Sequence, residues 1–242
     1  PLDAESLRSD VPGNQQFIAY RMSEIRPSGN LHCGVDSDVH QSVSKEITAA
    51  TAVKPCNPCA IVRIALAADN FMFRKYKSSV AETENQMLSV LADVQTVFDD
   101  EFENEYIYEA SGIYIADDPS KDPWYNINDI NAMLDEFYAV APTIFSGSNY
   151  NVATLWTSKF TSILGEVGTA YQATICNGDQ PYNLCSDFVP GGGRHPFYLT
   201  LQAHMLGHNW SMVHDPFTGG TIMGPGPPNG VTLWSFLSKD AL

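Results

Sequence analysis

Three histidines fall within eleven residues, in the segment His204-Met205-Leu206-Gly207-His208-Asn209-Trp210-Ser211-Met212-Val213-His214-Asp215. Histidines four apart share one face of a helix, so the imidazoles of His204 and His208 reach one ion together. His214 lies six residues further on and joins them only if the chain leaves the helix and turns sharply. Neutral imidazole is a good zinc ligand, and three of them leave the fourth tetrahedral position open, as in catalytic zinc sites. These three are half of the six histidines in the chain, so chance clustering is a poor explanation.

The elements that must carry this segment can be read from periodicity and turn residues. Pro196 suits a first helical turn, and the metal helix should run to about His208 or Asn209. Residues 60–69 form a short apolar run suited to a buried strand. Ser79 and Glu82 have capping-box spacing. Met87, Leu88, Leu91, Val94, Val97 and Phe98 then recur at helical spacing to about Phe102. Tyr106–Ala116 reads as a strand, and Asp129–Val140 as a second helix stopped before Pro142. Asn151–Trp156 and Gly168–Ala173 read as extended, Gly191–Gly193 as a flexible loop, and Leu233–Leu237 as a short last helix. This order implies an α/β fold with a mixed twisted sheet. Residues 1–59 read as an N-terminal extension wrapped on a domain formed by residues 60–242.

Composition narrows the function. Lys and Arg total 13 against 28 Asp and Glu, a formal charge of −15, and 44% of residues are hydrophobic. That suffices for a packed core and disfavours binding to phosphate backbones or anionic membranes. No apolar run is long enough to span a bilayer. The opening residues Pro1–Glu5 lack a basic region followed by an apolar one, so a secretion signal has been removed or never existed. The acidity fits a secreted, extracellular protein.

The histidine segment resembles the metzincin zinc-peptidase pattern H-E-x-x-H-x-x-G-x-x-H-D and is most similar to the reprolysin/adamalysin branch. Gly207, His208, Asn209, His214 and Asp215 match that branch. Thr221-Ile222-Met223-Gly224-Pro225 resembles its Met-turn, which puts Met223 beneath the metal. Leu155-Trp156-Thr157, Gly165–Tyr171, Ile175–Gly178 and the strand ending at Ala68-Asp69 extend the likeness over about residues 60–242. The resemblance implies Zn2+ as cofactor, upper and lower subdomains around a cleft, and peptide-bond hydrolysis. It also implies a peptide or protein ligand laid along the edge strand Gly168, Thr169, Ala170 and Tyr171.

Two departures stand out. Met205 occupies the position of the family's glutamate, which holds the attacking water, takes its proton and passes it to the leaving amine. A thioether has no proton to move, so activity should be lost or strongly reduced. Ser211 replaces the family's glycine at the bend after the helix. There a positive φ costs roughly 1 kcal/mol or more, unless Asn209 takes over the bend. Asn209-Trp210-Ser211 is also a formal glycosylation sequon, discounted because the metal motif leaves a glycan little room.

The five cysteines read as two pairs and a remainder. Cys176 and Cys185 flank a turn-rich loop and look like its staple. Cys56 and Cys59 form a C-x-x-C pair, read as a tight disulfide, with a redox motif or half a zinc site as alternatives. Cys33 is left over. Its surroundings, Asn30–Asp36, resemble the cysteine-switch segment of metzincin propeptides, in which a thiolate fills the fourth zinc position. Cys33 is thus a candidate metal ligand, against a plain free thiol or a disulfide with Cys56 or Cys59. Two other functions remain beside the impaired peptidase. One is a non-catalytic extracellular module that binds peptides or builds an assembly. The other is an active endopeptidase, with Glu166 or Asp187 as base or with residue 205 misassigned.

Overall fold

The computed structural model describes residues 32–33, 61–102, 105–159, 165–175, 180–189, 195–216, 220–226 and 230–241. Its centre is a six-stranded sheet in the order β1-β5-β6-β4-β2-β3. The strands are β1 (His32–Cys33), β2 (Ile61–Ala68), β3 (Ile107–Ile115), β4 (Val152–Thr157), β5 (Glu166–Ala170) and β6 (Tyr182–Ser186). All pairings are parallel except β5 with β6.

The helices are α1 (Asn70–Lys75), α2 (Val80–Phe102), α3 (Ile130–Ile144), α4 (Pro196–Asn209) and α5 (Phe236–Lys239). Alternation along β2 feeds two cores. Val62, Ile64, Leu66 and Ala68 pack with α2 and α4. Ala65 and Ala67 turn the other way, toward α3, and join Ala153, Leu155, Trp124 and Phe137. Alanines on that face leave room for Trp124 and Phe137, both fully buried. Of the predicted α2 stripe, Met87, Leu91, Val94, Val97 and Phe98 are buried, Leu88 is half-buried and Val90 takes its place in the core, and Glu82 N–H reaches the Ser79 hydroxyl at 3.3 Å. The fold is therefore the mixed α/β arrangement expected from the sequence.

Four details depart from the sequence reading. First, α3 does not stop before Pro142 but runs through it to Ile144. Proline removes only the N–H that would bond the Tyr138 carbonyl. Tyr138 is on the exposed side of the helix, away from the buried residues Met133, Leu134, Phe137 and Ala141, so the lost bond does not fall in the core. Second, β6 occupies part of what reads as a stapled loop. Third, Cys185 lies within β6 as a buried free thiol, while the Cys176 expected to pair with it falls outside the described residues. Cys176, Cys56 and Cys59 lie outside the described residues, as does nearly all of residues 1–59. Fourth, the last helix begins at Phe236, where the Ser235 hydroxyl caps it, rather than at Leu233. Among the described residues, no helix is long and apolar enough to cross a membrane.

Candidate metal centre

The metal helix α4 starts at Pro196, with the His195 imidazole accepting the Phe197 N–H at 3.2 Å. Every residue from Phe197 to Asn209 is buried, so this is a core helix sealed on all sides. Gly207 permits one close approach. A Cβ there would meet the Met223 sulfur at 2.5 Å and the Met212 sulfur at 3.1 Å. The turn containing Met223 therefore presses on the helix between its two histidines. Asp215 holds that turn from both ends. Its N–H donates to the Met223 carbonyl at 2.8 Å, and its carboxylate accepts the Thr221 hydroxyl at 2.5 Å and the Ser235 hydroxyl.

The chain leaves α4 through a Schellman-type cap. Ser211 N–H bonds the His208 carbonyl at 3.0 Å, and Met212 N–H bonds the Gly207 carbonyl at 2.9 Å. Ser211 takes φ +93°, so the strained backbone sits at Ser211 itself and is not passed to Asn209. Asn209 stays helical and buried. Its amide donates to the Tyr171 and Tyr182 carbonyls and accepts from Asn183, so the formal sequon offers no free amide.

This turn brings His214 back to the helix. The Nε2 atoms of His204 and His208 are 3.0 Å apart, and that of His214 is 3.2 Å from each. The Nδ1 atoms of His204 and His208 face the Ile222 and Met212 carbonyls at 2.6 and 2.9 Å. A carbonyl only accepts, so each Nδ1 carries the proton and each Nε2 presents a lone pair. The two lone pairs of His204 and His208, 3.0 Å apart, repel one another unless a proton from His214 or a cation lies between them.

Cys33 completes the group. Its Sγ is 3.7 Å from His208 Nε2, and the four ligand atoms all lie within 4.8 Å of one another. Tetrahedral zinc, with Zn–N of about 2.0–2.1 Å and Zn–S of about 2.3 Å, requires N···N of about 3.3–3.4 Å and S···N of about 3.6 Å. The donor set fits such an ion. Burial and the neighbouring His214 push the His204 pKa down to about 3, against the Ile222 carbonyl. Burial, His204 and His214 take His208 well below its usual range. Both imidazoles are thus neutral and able to ligate.

The edge strand is not bare. His32 and Cys33 run parallel to β5, with His32 opposite Glu166 and Cys33 opposite Gly168. Cys33 N–H also reaches the Pro225 carbonyl at 3.4 Å, so β1 lies between the edge strand and the turn after Met223. Thr169 and Ala170 continue β5 against β6, and Tyr171 leaves the sheet with its hydroxyl donating to Asp135 at 2.5 Å. Cys185 also stands opposite Gly168, on the other side. Two strand spacings of roughly 4.8 Å separate its Cα from that of Cys33, beyond disulfide reach. Burial, then the neighbouring Cys33, raises the Cys185 pKa, which keeps it a thiol.

Met205 is fully buried beside the ligands. Among the described residues, no carboxylate oxygen joins the four-ligand group. Asp187 is engaged elsewhere by Lys75 Nζ at 2.5 Å, Tyr76 at 2.6 Å and Tyr198. The role of Cys185 as a strand thiol and the full extent of β6 escaped sequence reasoning. The one available signal was the alternation Tyr182-Asn183-Leu184.

Comparison with known proteins adds a family and a fold. Residues 60–227 match the reprolysin-type family model described as metallo-peptidase family M12. No curated protein matches the sequence. Among solved structures, a chain described as "Structure of a chaperone-substrate complex" is similar in backbone, with a TM-score of 0.50 at 11% identity. The match covers 72% of this chain, which spans 32% of that chain's length.

Proposed function

Since the chain belongs to metallo-peptidase family M12, we propose that it binds zinc through His204, His208 and His214 and is an impaired or inactive metalloendopeptidase, closed at the fourth position by Cys33. The observation that carries this reading is the convergence of four ligand atoms, one of them a sulfur, within 4.8 Å. When bound, zinc supplies Lewis acidity toward a carbonyl or water. The protein must then move a proton from the nucleophile to the leaving amine. Met205 stands at the family's glutamate position and has no ionisable group to do so. General acid–base help is typically worth about 10²–10⁴-fold, so hydrolysis should fall by at least that order. The misassignment alternative turns on residue 205 alone, and peptide mass spectrometry across residues 195–215 decides it.

A second reading, a non-catalytic extracellular peptide-binding module, draws support from the β1–β5 ladder. This edge accepts an extended segment through main-chain bonds, which is how such modules hold peptides. For an active enzyme using another carboxylate, Asp187 gives little support, because it is tied to three other side chains, and the remaining candidate is Glu166, at the start of β5 opposite His32. The formal charge of −15 favours an extracellular setting.

Metal analysis and cobalt substitution test the site. Gentle purification should yield about one zinc per chain, and the cobalt form should show a thiolate-to-cobalt charge-transfer band that Cys33→Ser abolishes. Less than half an equivalent of metal would contradict the three-histidine centre. An unchanged band in the Cys33→Ser protein would contradict the fourth ligand alone.

A further inference from the structure

A second set of converging groups shares no residue with the histidine site. Beyond the end of β4, the Lys159 ammonium donates to three main-chain carbonyls at once, those of Trp124 at 2.7 Å, Tyr125 at 2.6 Å and Ile127 at 2.6 Å. The Phe71 ring lies 5.1 Å from the same nitrogen and stacks on Tyr125. Two carboxylates shape the local field, and both are already engaged. Asp69 accepts from Met72 N–H and the Thr157 hydroxyl, and Asp122 accepts from the Asn70 and Trp124 N–H groups.

A surface lysine ordinarily keeps its ammonium in water or pairs it with a carboxylate. Here all three donors go to backbone oxygens of one short segment. Carbonyl oxygens gathered in this way replace the hydration shell of a monovalent cation. We propose that residues 124–127 form a monovalent-cation cup and that Lys159 is its tethered occupant. Potassium or ammonium matches the lysine head in charge and in carbonyl distance. A divalent ion such as calcium is held by carboxylates, and both nearby carboxylates are engaged by other donors, so the uncharged carbonyls suit a single positive charge.

The tether joins three parts of the fold. Lys159 N–H bonds the Thr157 hydroxyl at 3.1 Å, and Ser158 N–H reaches Asp69 at 3.4 Å. Lys159 thereby fixes the start of the connection from β4 to the edge strand β5 against the 122–127 segment. A free monovalent ion in this cup would dissociate into a low-salt medium, and a tethered lysine does not. The cup therefore holds its charge whether or not the histidine site is loaded.

The test uses the full chain with its metal site loaded. Melting temperatures of the wild type and Lys159→Ala are compared at equal ionic strength in potassium, ammonium and choline chloride. The wild type should melt alike in all three. Lys159→Ala should melt several degrees lower in choline and regain much of the loss, saturably, with potassium or ammonium. Lys159→Met keeps the side-chain stem in the mouth of the cup, so it should lose stability without recovering it. If Lys159→Ala melts identically in the three salts, or matches the wild type in choline, the cup is not a cation site. Should that variant fail to accumulate, refolding yield in potassium against choline gives the same two outcomes.

Discussion

The terminal methyl of Met205 rests against Gly168, only 2.8 Å from where a Cβ would stand on that glycine. The residue next to the first histidine ligand and the residue paired with Cys33 thus share one contact. The Leu184 carbonyl oxygen closes another side at 2.9 Å. Replacing Gly168 by Ala should destabilise the fold by about 1–3 kcal/mol, the usual cost of overpacking. Met205→Ala alone should cost about 2–5 kcal/mol through the cavity it leaves, and Gly168→Ala should cost less in that background than in the wild type, though not nothing, because the Leu184 backbone cannot move aside. Urea unfolding of the two single variants and the double variant measures this, and an equal Gly168→Ala cost in both backgrounds would mean that Met205 does not press on the glycine.

Ser211 holds φ +93° at the cap of the metal helix. Glycine adopts that angle without a Cβ penalty, so Ser211→Gly should stabilise the protein by about 1 kcal/mol in chemical denaturation. Metal affinity should not fall, since the turn that delivers His214 is kept. A destabilised variant would show that the serine side chain contributes more than the strain costs.

Asp69 is buried, and burial lifts its carboxyl to about 7, with Asp122 adding to the rise and hydrogen bonds from Thr157, Met72 and Ser158 opposing it. A carboxyl raised in the fold stabilises it below the unfolded value near 3.8, and that stability is lost as pH climbs through about 7. The effect is on the order of a few kcal/mol. Asp69→Asn removes the titration, so the wild type's melting temperature relative to this variant should fall between pH 4 and pH 8. A difference independent of pH would show that Asp69 is ionised throughout.

Chelation should expose Cys33. With metal bound, its thiol is held at the histidine site and should label slowly. After chelator it should label faster, read by peptide mapping so that buried Cys185 does not interfere. Equal labelling with and without chelator would remove Cys33 from the ligand set.

The helix Pro196–Asn209 and the approach of His204 to His208 were legible because their signals are local. A helix brings His204 and His208 together through spacing alone, and Pro196 marks its start. His214 was legible through the family likeness, although its path depends on a cap that serine occupies at positive φ. The place of Cys33 rests on pairing between residues more than 130 positions apart, which no periodicity encodes. Strand β6 was hidden because Asn177–Pro181 reads as a turn and Cys176 and Cys185 suggest a staple. In the fold, Cys185 lies in the strand between β4 and β5. Pro142 misled in the opposite way. It removes one bond without ending the helix, and here the residue whose carbonyl loses it, Tyr138, lies on the exposed side.

The most direct measurement is cleavage of a mixed fluorogenic peptide library by two zinc-loaded proteins, Cys33→Ser and Cys33→Ser with Met205→Glu. Both should have the cleft free of the thiolate, and they differ only in the proton-carrying group. The double variant should cleave at least about 10²-fold faster than the single variant. Equal cleavage by the single variant would contradict the role assigned to Met205 and require another base within the cleft.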